Sequence, residues 1–186
     1  MRRRAVLGAA FLPVVGRGSN PLATGPSPLA PFPSMEGGIK VVSASRQWGD
    51  FTDGRTVRFP ELGAVVLVEV ADTPETRALG LGGHAPLEDG QGMLFVFGTR
   101  GRYPFWMKGM TFALDMLWLD AGADADGWMT VVHVAPDVAP DAPGTPDADR
   151  PTYAPPAGTT AKFVLEVPAG WAQAWGVDVG ASALWQ

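Results

Sequence analysis

Two charges, Lys108 and Asp115, interrupt the stretch RYPFWMKGMTFALDMLWLD at residues 102–120, which is otherwise dense in aromatic residues and methionine. In Leu114-Asp115-Met116-Leu117-Trp118-Leu119, strand alternation puts Asp115 on the face of Leu117 and Leu119, with Leu114, Met116 and Trp118 on the other. Both faces are apolar, so the strand is expected to be covered on both sides, with Asp115 at a buried or half-buried entrance. A carboxylate there needs a cationic or N–H partner, because unpaired burial costs several kcal/mol. Lys108 is the nearest cation in sequence, and Arg77 is a second candidate able to hold a carboxylate with two parallel bonds. Two roles follow. The cluster is either a structural salt bridge, the role that buried ion pairs often play, or a polar patch in a pocket walled by Tyr103, Phe105 and Trp106.

Other chemistries are less well supplied. A hydrolase would use Asp115 or Glu166 as acid or base, with Lys108 as electrostatic stabiliser. A glycosidase pair would be drawn from Glu69, Asp115, Asp120 and Glu166, but no spacing sets two of them across a cleft. His84 follows Gly82-Gly83 in a loop and reads as a surface residue, and His133 lies in an apolar strand. No serine sits in a nucleophile-elbow pattern. Aligning Gly127 with the sixth position of a calcium loop puts Gly122 first and His133 twelfth, and both ends fail, so that segment reads as a hairpin turn. Met93, Met107, Met110, Met116 and His133 hold soft or borderline donors for Cu(I). Methionine is a common core filler, however, and a lysine between ligands would repel the cation, so core packing is the expectation. Neither a cofactor nor a metal is expected.

The 186 residues are 46% hydrophobic and 18% charged, enough for a real core. Net charge is −5, and no basic stripe follows the first four residues, which argues against nucleic acid as partner. There is no cysteine, which excludes disulfides, thiolate catalysis, Cys-based zinc sites and a lipoprotein anchor. MRRRAVLGAAFLPVVG has the basic, apolar and small-residue layout of an export signal, and Arg3-Arg4 resembles the twin-arginine type. The expectation is a signal at 1–18 and a periplasmic or extracellular product with no integral membrane segment. A cytoplasmic protein starting at Met35 is the alternative.

The elements that must position these side chains are short. Residues 19–55 read as a Pro/Gly/Ser-rich linker and lead-in. A single β-rich domain is expected over 56–186. Strands are predicted at Thr56–Phe59, Ala64–Val70, Met93–Phe97, Tyr103–Met107 and Lys162–Val167, with Ala181–Trp185 closing the sheet. Leu114–Leu119 and Trp128–Val134 pair as a hairpin. Asp72 or Thr73 caps a short helix that begins at Pro74 and is ended by Gly80, and Gly170 leads a second helix carrying Trp171 and Trp175. Residues 135–161, with seven prolines, form a long irregular excursion of the kind that is usually functional or mobile. The class is mainly β: a small antiparallel sandwich or barrel of about seven strands with one or two short helices.

The series VEVADTPETRALGLGG, GMLFVF, YPFWMKGMTFALDMLWLD and YAPP with FVLEVPAGW resembles the domain of unknown function 192 family. That resemblance implies a compact jelly-roll-like β domain, often exported, and carries over no catalytic residue. Many relatives have Met after the Gly-Leu pair and Asn-Thr after Trp-Met-Lys, where this chain has Gly82 and Gly109-Met110. The leading expectation is a non-enzymatic exported module that binds a small polar ligand, such as a carbohydrate or cell-envelope component, or a partner's surface. Its ligand-binding residues would be Arg77, Tyr103, Trp106, Lys108 and Asp115. A hydrolase and a purely structural module are the alternatives.

Overall fold

The β-branched run expected near residue 64 forms a strand at Ala64–Ala71, here β2, preceded by β1 at Thr56–Phe59. The other strands are β3 (Gln91–Gly101), β4 (Leu114–Asp120), β5 (Trp128–Val138), β6 (Ala161–Pro168) and β7 (Ser182–Trp185). Two short helices accompany them, α1 at Pro74–Leu79 and α2 at Trp171–Trp175. A computed structural model describes residues 54–121 and 126–186. The signal expected at 1–18 and nearly all of the 19–55 lead-in lie outside the described residues.

The strands close into a barrel in the order β1-β2-β3-β6-β4-β5-β7. The mainly β class therefore holds, and of the sandwich and the barrel it is the barrel that forms. All pairings are antiparallel except β2 with β3, which run parallel because α1 carries the chain back between them. Thr73 caps α1, accepting a hydrogen bond from Thr76 N at 3.2 Å, while Thr76 Oγ1 accepts one from Thr73 N at 3.0 Å. No helix among the described residues is long and apolar enough to cross a membrane.

Alternation sorts the side chains into two apolar layers. Val57, Val66, Leu94, Leu117, Val131, Leu165 and Ala183 represent all seven strands in the barrel interior, which α2 closes with Trp171 and Ala172. The opposite faces of β3, β4 and β6 carry Met93, Phe95, Met116, Trp118 and Val164. Leu81, Phe105 and Met107, from the irregular segments on either side of β3, pack over them. Barrels of this size fill their interior with side chains, so a site has room only on the outer layer.

The segment Tyr103–Met107, expected as a strand, makes only one isolated bridge, Phe105 with Tyr153. The outer layer displaced it from the sheet. Phe105 turns its ring edge-on to Phe95 at 4.8 Å and to Trp118 at 5.9 Å, and the Trp118 indole donates to Tyr103 O at 3.0 Å. Those contacts hold the segment flat against the barrel. From outside it is strapped by the proline-rich excursion, since Phe105 and Tyr153 exchange two backbone hydrogen bonds of 2.8 Å and Arg102 donates to Pro155 O at 2.6 Å. The excursion packs onto the domain.

Candidate functional site

Between α1 and the strapped segment lies a cleft of about 510 Å³. One wall is Arg77 with Leu79–Gly82, the other is Tyr103–Trp106 with Lys108 and Met110, and Phe95, Phe97 and Glu166 form the floor. Four of the five expected binding residues, Arg77, Tyr103, Trp106 and Lys108, converge there, although they come from two segments more than twenty residues apart in sequence. Asp115 does not join them.

Asp115 is fully buried on the interior side of the barrel wall, as its alternation requires. It meets neither Lys108 nor Arg77. Its partners are three backbone N–H groups: Asp137 at 2.8 Å and Gly170 at 3.0 Å on one oxygen, and Ala172 at 2.8 Å on the other. Gly170 occupies the N-cap of α2 and has no side chain to satisfy the helix's free donors, so Asp115 caps α2 from another strand. Its third bond holds Asp137, the non-glycine described residue with a positive φ, at 50°, where β5 shifts register against β4. Of the two kinds of partner expected for Asp115, cationic or N–H, it is N–H donors that satisfy the carboxylate, and the candidate cations Lys108 and Arg77 are not its partners; its role is structural.

Glu166 is the mirror case. Its neighbours in register are Met93 on β3 and Met116 on β4, so it points to the outer layer and reaches the cleft floor. It is 5% exposed and has no hydrogen-bond partner among the described residues. Burial without a compensating donor pushes its carboxyl up to about 8, so at neutral pH it carries its proton. Sequence reasoning named Glu166 only as an alternative acid. Its signal was legible, because a glutamate alternates with Val164 on the apolar strand Phe163–Val167.

The cleft's cations differ in how fully they are used. Lys108 Nζ lies 2.5 Å from Asp147 Oδ2 and 5.2 Å from the centre of the Trp106 ring. Asp147 also accepts from Arg150 at 3.0 Å, and these two cations hold its carboxyl below the usual carboxylate range. Arg77 spends Nη1 on two carbonyls, Asp72 O at 2.5 Å and Val96 O at 2.8 Å. Its guanidinium lies 5.3 Å from the centre of the Phe97 ring, and Phe97 stacks on Tyr103 at 3.6 Å. The Tyr103 hydroxyl donates to Thr99 O at 2.6 Å, which fixes the ring. Leu79 and Trp106, 48% and 46% exposed, leave the rim apolar.

Sequence reasoning missed the floor residues Phe95 and Phe97 and the rim residue Leu79, whose apolar character is indistinguishable from core without the fold. Neither histidine lines the cleft: His84 contacts Ala85 O at 2.6 Å, and His133 packs against Trp118, where burial lowers its pKa. Met93, Met107 and Met116 are fully buried in the outer layer, and Met110 packs against it. Gly82 and Gly109 lie close together. Gly83 N donates to Gly109 O at 3.0 Å, and a Cβ on Gly109 would sit 3.5 Å from Gly82 Cα. Gly109 has a φ of 76°, which suits glycine.

Two solved structures share the fold. A protein of unknown function from Novosphingobium aromaticivorans is 26% identical, with a TM-score of 0.57 over 70% of this chain and 83% of that one. A protein described as a candidate transcription regulator from Sinorhizobium meliloti is 25% identical, with a TM-score of 0.54 over 71% of this chain and 90% of that one. No curated protein matches significantly. The family DUF192, described as "Uncharacterized ACR", matches residues 57–185, which run from the second residue of β1 through β7 and take in both walls of the cleft. The chain belongs to the DUF192 family.

Proposed function

We propose that the domain is a binding module whose cleft takes a small polar ligand with a flat apolar face, of the kind a carbohydrate ring or cell-envelope component presents. One observation carries this reading. Glu166 is a buried carboxyl with no hydrogen-bond partner among the described residues, and it lines a cleft walled by aromatic rings. A buried polar group without a partner is costly, and a ligand hydroxyl or carbonyl would satisfy it. The exposed Trp106 ring and the Phe97–Tyr103 stack offer apolar platforms for a ring. The basic and apolar opening of the chain supports export, and an envelope ligand would fit that location.

Of the hydrolase alternative's two candidate acids, Asp115 projects from the opposite face of the wall, which leaves Glu166 with Lys108 in the cleft. The regulator description belongs to the Sinorhizobium meliloti protein. A net charge of −5 does not favour DNA for this chain.

The test is a titration of the ¹⁵N-labelled full chain with a panel of small sugars and ring-bearing fragments. Shifts should cluster at Gly80–Gly82 and Tyr103–Met110, and Trp106→Ala should abolish them without lowering the melting temperature. Binding that leaves those amides unmoved, or that survives Trp106→Ala unchanged, would overturn the assignment. Export is tested separately by the mass of the mature secreted protein, and an intact Met1 or a cytosolic start at Met35 would end it.

A further inference from the structure

Arg77 and Glu166 both bring to the cleft polar atoms for which the described residues supply no hydrogen-bond partner. Of the three guanidinium nitrogens of Arg77, Nη1 donates to Asp72 O and Val96 O. Nε and Nη2 have no partner among the described residues, and the guanidinium lines the cleft beside Phe97. A guanidinium anchored by one nitrogen, with its remaining donors open, is a pre-organised fork for a planar anion. Lys108 offers no such vacancy, since Asp147 neutralises it at the rim.

Among the described residues that line the cleft, the charge count is therefore one uncompensated cation, from Arg77, provided that Glu166 is un-ionised. The position of Glu166 keeps it so, because its flanking neighbours in the sheet are Met93 and Met116 and no described residue donates to it. The charged and titratable groups around it are Arg77 from α1 and Tyr103 and Lys108 from the strapped segment, with Asp147 behind Lys108. Glu69 on β2 pairs with Met93 in the same row across the sheet.

We infer that the ligand of this cleft carries a carboxylate, gripped by the open edge of the Arg77 guanidinium, while the Glu166 carboxyl donates a hydrogen bond to the same ligand. This rests on the cleft-binding reading above and names its ligand class. An ionised glutamate on the floor would repel an anion, whereas a protonated one is a donor facing it. A dianion such as phosphate fits less well. It would meet a single free cation among the described lining residues, and the carbonyl end of α1 rather than its N–H end forms the adjacent wall. The aromatic walls suit a carboxylate attached to a ring.

Matched probes on the full chain test this: benzoate, benzyl alcohol and benzylamine, and glucuronate against glucose, measured by NMR titration at low salt. At pH 6.5 each carboxylate should bind at least tenfold more tightly than its uncharged partner, with shifts at the cleft amides. Arg77→Lys keeps the charge but not the fork, and should cut that preference at least fivefold. Benzoate affinity should fall at least tenfold between pH 7 and pH 9 in the wild type and stay level in Glu166→Gln, which keeps a neutral donor at that position. Equal binding of benzoate and benzyl alcohol would overturn the carboxylate inference and leave the cleft reading standing, and a preference for benzylamine would do the same. Silence of the cleft amides toward every probe would overturn the cleft reading and this inference with it.

Discussion

Asp115 and Glu166 stand one register step apart on the β4–β6 ladder, where Asp115 pairs with Val167 and Met116 with Glu166, yet their side chains enter opposite layers of the barrel wall. Asp115 faces the interior and finds three N–H donors. Glu166 faces the outer layer and finds none among the described residues. Two buried carboxyl groups that look alike in sequence thus divide the work, one holding the fold and the other facing the cleft.

Removing the Asp115 carboxylate strands three backbone N–H groups in the interior. Asp115→Ala should lower stability by about 4 kcal/mol, and Asp115→Asn by about 2 kcal/mol, since an amide keeps one acceptor oxygen but turns donors toward Ala172 N. Urea denaturation measures both. An Asp115→Asn protein as stable as the wild type would mean that these hydrogen bonds do not cap α2.

Glu166 should make stability pH-dependent in the direction opposite to a salt-bridged carboxylate. Its folded value is raised from 4.5 to about 8, so between those values the folded state keeps a proton that the unfolded chain has released. Stability then falls as pH rises through that window, by up to about 1.4 kcal/mol per pH unit, and levels off above it. Melting temperatures of the wild type should decline from pH 5 to pH 8 relative to Glu166→Gln, whose amide does not titrate. Parallel profiles would refute the buried acid.

Gly92 marks the seam beneath Glu166. A Cβ there would come within 2.6 Å of Glu166 O and 2.8 Å of Val66 Cγ1, contacts that no rotamer relieves because one is to backbone. Gly92→Ala should cost about 2 kcal/mol or more and displace β6 from β3. Denaturation together with amide exchange at Leu165–Val167 would show both effects.

Asp147 sits over the cleft rim, bound to Lys108 and Arg150. The pair with Lys108 is exposed to solvent, so Asp147→Asn should leave the melting temperature at the wild-type value while freeing the Lys108 charge. Benzoate affinity at pH 6.5 and low salt should then rise, and the gain should disappear in high salt. A drop in affinity would show that the strap, rather than its charge, shapes the cleft.

Much of the fold is legible in local pattern. Strand alternation in Leu114–Leu119 fixes which face Asp115 takes, and Thr73-Pro74 and Gly80 set the ends of α1 because side-chain capping and a glycine at positive φ are local effects. The family motifs pointed to the same compact β domain. Tyr103–Met107 misled because its aromatic density mimics a buried strand, when its rings are needed to cover the barrel from outside. Partner choice for Asp115 could not be read, since the nearest cation in sequence is a poor guide when a distant turn brings backbone N–H groups to the same point.

By itself, the sequence determined the strand content, the helix ends and the presence of polar residues in apolar surroundings, since each depends on neighbours only a few residues away. The tertiary structure alone decided which of those polar residues share a cleft. Closure of β6 between β3 and β4 brings Glu166 to the cleft that Arg77 also lines, and the strap from the long excursion holds the Tyr103–Trp106 segment along it. That outcome depends on contacts between segments far apart in the chain, where burial and donor supply are properties of the assembled layers rather than of any residue's own sequence.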